Sequence, residues 1–430
     1  MSSPIESIKA EIMPEKPTKQ RLFLVAILCI GLFVCFLDRV NISVLVANEA
    51  FLVDMGIKGQ PVKIGMLMSV FLAVYGISNF VLAPIGDYLG PRKAMSLCVA
   101  IWALSLFVGG IATTFTTMLV ARVILGMGEG LYYPLQSVFV KNWIPPQERG
   151  RSNAAWSIGQ SLAPAVAMPF FAYVVGTWGW RDGFWVALVI TLIPLYLFWF
   201  RTTDTPRTHK KVNALELKHI EEGLATEQQG QEATKDTFKQ RFMTFAGNYR
   251  YWLLVCWYMM MNIIAWAMLS WLPTYLKSAR GFTWTEMGWL ASLPFVLGVI
   301  LKVFAGWITD RTGKNAPLLA GCMFVAAVSM YFAASVSGKY PAALFLTCAT
   351  ASNVMAIPAA WTLLQGLVPA KTLGTAGGVM NGISTGTAAL SPMFLGFVIS
   401  LGNYSAGLYA LVAVGLIGSV SAAVLVYQKY

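Results

Sequence analysis

Charged residues are few in this chain: 12% of its 430 positions are Asp, Glu, Lys or Arg, against about 25% in ordinary soluble domains. With 57% hydrophobic residues, it has too little polar surface to cover a water-soluble fold of this size. Histidine is nearly absent. His209 and His219 both fall in one polar stretch, which excludes a histidine-built metal site in the apolar regions. The six cysteines (Cys29, Cys35, Cys98, Cys256, Cys322, Cys348) all lie inside apolar runs. They make neither a zinc spacing nor a disulfide framework, and read as small packing residues. No His cluster, metal-ligand spacing or nucleophile–base set is visible, so neither an enzyme nor a cofactor is expected. The net charge of +12 is not a nucleic-acid signal, because the basic residues sit in short loops between apolar runs. The opening ~20 residues are polar and lack the pattern of a cleavable leader, so the first apolar run is expected to span and stay.

What the chain does have is apolar length. A helix needs about 20 apolar residues to cross the hydrocarbon core. Twelve segments qualify: 22–48, 62–86, 93–114, 117–141, 152–176, 182–200, 250–276, 284–309, 316–336, 341–365, 373–399 and 403–427. The expectation is an all-α membrane protein with twelve transmembrane helices. The domains expected are a tail (1–20), a six-helix half (21–201), a polar linker with a short amphipathic helix (202–249) and a second six-helix half (250–430). Of 31 Lys and Arg, 22 fall on the side that carries the termini and the linker, 6 on the other side, and Arg39, Arg122 and Lys302 inside spans. The positive-inside bias then puts both termini in the cytoplasm.

The halves repeat. Gly86-Asp87-Tyr88-Leu89-Gly90-Pro91-Arg92-Lys93 follows the second span, and Thr309-Asp310-Arg311-Thr312-Gly313-Lys314 follows the eighth, an offset of 223 between Asp87 and Asp310. Pro145-Pro146-Gln147-Glu148-Arg149-Gly150 and Pro369-Ala370-Lys371-Thr372-Leu373-Gly374 give 224 between Gly150 and Gly374. Two independent positions with nearly one offset indicate duplication. Two pseudo-symmetric halves with a midplane site between them form a transporter architecture.

Charge inside the spans is the functional signal. Asp38 and Arg39 lie in the first span and Glu129 in the fourth. Each costs roughly 2.5–3.5 kcal/mol at a helix centre, so such residues line cavities and pair with ions, protons or substrate. Arg39 offers a permanent charge and a bidentate fork for a carboxylate; the alternative is a structural ion pair with a neighbouring span. Asp38 and Arg39 are about 100° apart on a helix and cannot share a face. At about 1.5 Å per residue, Asp38 and Arg122 sit roughly 24 and 28 Å from the cytoplasmic ends of their spans. An Asp38–Arg122 pair is therefore expected, either broken by protonation of Asp38 or permanent. Glu129 lies seven residues after Arg122 with Gly126 between, where a small residue lets backbone or substrate approach. A poorly hydrated carboxyl favours its neutral form, so Glu129 can exchange protons; the alternative is neutralisation by Arg39 or Arg122. Lys302, in the eighth span, either snorkels to the cytoplasmic surface or faces the cavity and holds a second carboxylate.

These motifs resemble the major facilitator superfamily. Leu37-Asp38-Arg39-Val40-Asn41, Arg122 with Gly126-Met127-Gly128-Glu129-Gly130, Glu148-Arg149-Gly150-Arg151 and Ser270-Trp271-Leu272-Pro273-Thr274-Tyr275-Leu276 resemble its anion:cation symporter branch, the galactonate-, glucarate-, tartrate- and phthalate-type permeases. The resemblance implies the major facilitator fold, an Asp38–Arg122 pair, Arg39 on the substrate carboxylate and Glu129 as a proton site. It implies substrate contacts at Tyr75, Gln160, Trp361 and Asn381, Trp361 being nearly as well read as a packing residue. It also implies a cytoplasmic gate of ion pairs among Asp87, Arg92, Glu148, Arg149, Asp310 and Arg311. Phe36, Pro358 and Ala360 depart from the sugar-acid pattern by replacing hydroxyl residues, which favours a less hydroxylated or aromatic acid.

The expected function is a proton-coupled symporter that imports an organic anion by alternating access. It would sit in a bacterial inner membrane and work as a monomer, with protons, the anion and the bilayer as its partners. The rivals are an efflux carrier of the same fold, which Arg39 disfavours, and a membrane-embedded enzyme or receptor.

Overall fold

The computed structural model describes residues 16–81, 88–230, 238–312, 314–369 and 372–428. Its regular elements are helices. The first half contains α1 (Gln20–Leu45), the short α2 (Glu49–Asp54), α3 (Pro61–Val81), α4 (Pro91–Gly110), α5 (Phe115–Gly130), α6 (Tyr132–Trp143), α7 (Pro146–Thr177) and α8 (Trp180–Arg201). The connection contains α9 (Ala214–Gly230) and α10 (Phe238–Ala246). The second half contains α11 (Tyr249–Thr274), which runs on into a π turn (Tyr275–Ala279), then α12 (Trp284–Thr312), α13 (Ala316–Ser335), α14 (Lys339–Met355), α15 (Ile357–Leu367), α16 (Leu373–Ala388), α17 (Ser391–Leu401) and α18 (Tyr404–Tyr427).

Eleven described segments are long and apolar enough to cross a membrane. The twelfth, expected over 117–141, is present as α5 and α6, of 16 and 12 residues, divided at Leu131. Pro134 explains the break: its ring clashes with the carbonyl of Gly130, and it has no N–H to give. Pro358 divides α14 from α15 in the same way. Pro134 and Pro358 are 224 residues apart, so the break itself obeys the repeat. Pro392 makes a third interruption, between α16 and α17.

The helix adjacencies also repeat. α1 packs on α7 as α11 packs on α16, α3 on α5 as α12 on α14, and α4 on α8 as α13 on α18. Exposed apolar stripes such as Val189, Leu192, Ile193, Tyr196 and Phe200 on α8 face outward, as lipid contact requires.

The two ends of the bundle differ. At the end away from the 202–249 connection, the halves touch. A Cβ on Gly65 of α3 would strike the Pro392 carbonyl, and one on Gly396 of α17 would strike that of Pro61. The Met393 N–H donates to Ser69 Oγ at 3.1 Å. On the opposite flank the Trp284 indole donates to the Ala172 carbonyl at 2.5 Å, and a Cβ on Gly288 would lie 2.5 Å from that of Ala172. Toward the connection end, a Cβ on Gly76, Gly306, Gly366, Gly378 or Gly382 would meet nothing within 4 Å. Small residues thus seal the end away from the connection; the connection end, where these glycines meet no such neighbour, is read as the open one.

Candidate functional site

The charged residues gather where α1, α3, α5 and α11 meet. Arg39 and Glu129 are 1% and 0% exposed, and the Arg39 Nε donates to Glu129 Oε2 at 2.6 Å. Arg39 Nη2 donates to Cys35 Sγ, one turn back on α1, at 3.3 Å. Aromatic rings surround the guanidinium: Phe36 at 4.3 Å, Tyr75 at 4.8 Å, Phe71 at 5.4 Å and Trp266 at 5.7 Å from its carbon. Cation–π attraction stabilises a desolvated guanidinium. Trp266 belongs to the second half, so both halves touch the Arg39 site. The structure holds Arg39 and Glu129 as a buried ion pair.

Gly126 and Gly130 let α5 approach α3. A Cβ on Gly126 would lie 2.8 Å from the Phe71 carbonyl, and one on Gly130 2.7 Å from the Tyr75 carbonyl. The glycines serve backbone approach and so hold Glu129 against Arg39.

The expected Asp38–Arg122 ion pair is not formed. Asp38 accepts instead from the Trp102 indole of α4 and from Thr191 Oγ1 of α8 at 3.2 Å. Arg122 turns to α3, where its Nε donates to the Leu67 carbonyl at 3.0 Å and its guanidinium lies 4.8 Å from the Phe71 ring. Equal depth brings the two residues to one level, but the rotation of α1 aims Asp38 at α4 and α8. One oxygen each of Asp38 and Glu129 (Oδ1 and Oε1) is buried without a protein hydrogen-bond partner among the described residues.

The remaining candidates lie between this cluster and the open end. Tyr75 is buried beside Arg39. Gln160 Oε1 accepts from the Tyr133 hydroxyl at 2.7 Å. Trp361 meets Tyr258 edge-on at 6.0 Å and packs over Gly377. Asn381 lies one turn beyond Gly377 on α16 and is exposed. Lys302 donates to Ser161 Oγ of the other half at 3.3 Å; it does not snorkel to the surface.

Of the expected gate residues, Asp87 and the side chain of Asp310 lie outside the described residues. Arg92 donates to the Trp199 carbonyl at 3.0 Å. Glu148 pairs with Arg21 at 2.9 Å and with His219 of α9 at 2.8 Å. Arg149 donates to the Ile144 carbonyl at 3.1 Å, and Arg311 covers Trp307 at 4.2 Å. Among the described residues, the contacts named here stay within a half or reach the connection.

Phe71, Trp102, Tyr133, Thr191 and Trp266 were not singled out in the sequence. Each is an apolar-run residue whose role exists only through its neighbour on another helix.

The profile described as the Major Facilitator Superfamily matches residues 28–392. A protein named as a probable sulfoacetate transporter from Cupriavidus necator is 29% identical over 397 residues, which is 90% of this chain and 89% of its own. The D-galactonate transporter of Escherichia coli is 24% identical, with 96% of both chains covered. The hexuronate transporter of Bacillus subtilis is 25% identical, again over 96% of both. Among solved structures, the inward-facing, occupied form of a bacterial homologue of the human lysosomal transporter Spinster superposes with a TM-score of 0.78 at 16% identity, covering 96% of this chain and 98% of that one. The D-xylose–proton symporter superposes at 0.71 and 14%, covering 92% and 96%; both likenesses are of fold. The chain is a multi-pass membrane protein that belongs to the Major Facilitator Superfamily, whose members are transporters and not enzymes.

Proposed function

We propose that the protein is a proton-coupled importer of an organic anion, in which one buried ion pair exchanges its carboxylate for that of the substrate. The observation that carries this reading is the Arg39–Glu129 pair, buried, 2.6 Å long and enclosed by rings from both halves. A guanidinium at this depth needs an anion, because an unpaired buried charge costs several kcal/mol. When Glu129 takes a proton its claim on Arg39 lapses, and a substrate carboxylate replaces it. One proton and one anionic group enter together, so the net charge of the cluster is unchanged. An anion moving alone would oppose an inside-negative potential by about 2.3 kcal/mol per charge per 100 mV.

Asp38 is the second proton site. Its partners in this structure are the neutral donors Trp102 and Thr191, an arrangement that suits a carboxyl parted from Arg122. In the alternate state, deprotonated Asp38 takes Arg122 as its partner. Tyr75, Gln160, Trp361 and Asn381 line the route from the open end and contact the substrate. The halves 21–201 and 250–430 rock about this site, joined by 202–249 and preceded by the tail 1–20. The open end faces the cytoplasm with both termini, in a bacterial inner membrane, and the monomer is the working unit. Asp87, Arg92, Glu148, Arg149, Asp310 and Arg311 close that end when the carrier faces out. The relatives named for sulfoacetate, galactonate and hexuronate support an organic anion as cargo. The cationic group at the centre of the site speaks against efflux of cationic drugs.

The test is uptake of labelled organic acids by proteoliposomes under an imposed proton gradient. Accumulation should collapse when a protonophore is added. Undiminished accumulation would refute proton coupling.

A further inference from the structure

Lys302 has a geometry that a lipid-facing or snorkelling lysine would not have. Its Cα lies ten residues from the connection-side end of α12, roughly 15 Å along the axis. Ser161, which accepts from its ammonium at 3.3 Å, lies fifteen residues into α7, roughly 22 Å from the same side. The difference, about 7 Å by helix rise, is close to the length of an extended lysine chain. The side chain therefore points away from the near surface, toward the middle of the membrane. It also crosses from one half to the other.

Among the described residues its surroundings hold no counter-charge. None of the ion pairs among the described residues involves Lys302, and its hydrogen-bond partner there is the neutral hydroxyl of Ser161. Away from the span ends, five ionisable residues of fixed sign lie inside the spans: Arg39, Arg122 and Lys302 against Asp38 and Glu129. Even with both carboxylates ionised the interior carries one excess positive charge. With Glu129 protonated, Arg39 and Lys302 both lack an anion.

The two cations lie along one polar path. Ser161 follows Gln160, which binds the Tyr133 hydroxyl at 2.7 Å, and Tyr133 lies four residues after Glu129, the partner of Arg39. Arg39 lies nineteen residues into α1, roughly 28 Å from the connection side and about 6 Å deeper than Ser161. A depth difference of about 6 Å is on the scale of two acidic groups joined by a short linker. Phe36, Pro358 and Ala360 remove hydroxyl partners along the way, which disfavours a long polyol chain between them.

We propose that the site selects short organic dianions, with one acidic group on Arg39 and the second on Lys302, which replaces Ser161 as the lysine's partner. The proposal rests on the reading that Arg39 takes the first acidic group.

The experiment measures binding of matched acids to the purified full-length protein at pH 6.5. Sulfoacetate, succinate and glutarate are compared with acetate, methanesulfonate and butyrate. In the wild type, at least one dianion should bind tenfold or more tightly than its singly charged counterpart. Lys302→Met should bring that ratio to within twofold by weakening dianion binding far more than monoanion binding, and Lys302→Arg should keep most of it. Lys302→Gln repeats the test should the methionine variant fail to fold. A wild type without dianion preference, or an unchanged preference in Lys302→Met and Lys302→Gln, overturns the proposal alone. Absence of binding by every acid, or binding that survives Arg39→Gln, overturns the reading on which it rests.

Discussion

Two carboxylates lie one helix apart in the same apolar interior and are held in opposite ways. Glu129 is held by a full positive charge, Arg39, at 2.6 Å. Asp38, next to that arginine in sequence, is held by an indole and a hydroxyl. A carboxylate on a guanidinium is stabilised by charge and loses its partner on protonation. A carboxyl on neutral donors has no cation to lose. On the proposed mechanism the two sites occupy two different stages of one cycle, with the Arg39 site closed on itself and the Asp38 site held apart from Arg122.

Removing the charge at Glu129 has the largest expected effect. Glu129→Ala leaves Arg39 buried and unpaired, at about 3–5 kcal/mol of stability, read by thermal unfolding in detergent. Glu129→Gln keeps the shape and should abolish proton-driven accumulation while sparing substrate exchange down a concentration gradient. Loss of both activities together would place Glu129 in substrate binding instead.

Next in size is the conformational test. Gly65→Leu puts a side chain where Pro392 passes, so the halves cannot close at that end. Spin-label distances across the open end should shorten, and uptake should fall at least tenfold. Unchanged distances would contradict the assignment of that contact as the outer seal.

Trp102→Phe removes one neutral donor from Asp38, with an expected cost of about 1–3 kcal/mol. It should alter the pH profile of uptake and leave the Arg39–Glu129 pair intact. A profile identical to wild type would show that Asp38 takes no part in coupling.

The smallest effect is at the rim. The Trp180 indole, and then Arg181, hold the Asp54 carboxyl below the usual carboxylate range. A lowered folded-state pKa stabilises above the unfolded value and is lost as pH falls through the folded one. Because Asp54 is exposed, Asp54→Asn should cost only about 0–1 kcal/mol, and only above pH ~4. It should not change proton coupling.

Much of this was legible in the sequence. Apolar run length located the spans, and the 223–224 offsets located the duplication, which Pro134 and Pro358 then extended. Arg39, Glu129 and Asp38 were marked by their cost in lipid. What a single helix cannot state is its neighbour. Depth along the axis brought Asp38 level with Arg122, but rotation decided that Trp102 and Thr191 would hold it. Trp266, reaching Arg39 from the other half, carried no signal among 15 tryptophans in a chain rich in apolar residues. Lys302 was conspicuous in the eighth span, but its direction depended on Ser161, 141 residues away.

Proton uptake on anion binding tests the exchange of carboxylates on Arg39 most directly. Purified protein in weakly buffered solution with a pH indicator is mixed with sulfoacetate or succinate. The account predicts that binding takes up at least one proton per anion in the wild type, and one fewer in Glu129→Gln. Anion binding to the wild type without proton uptake would contradict it.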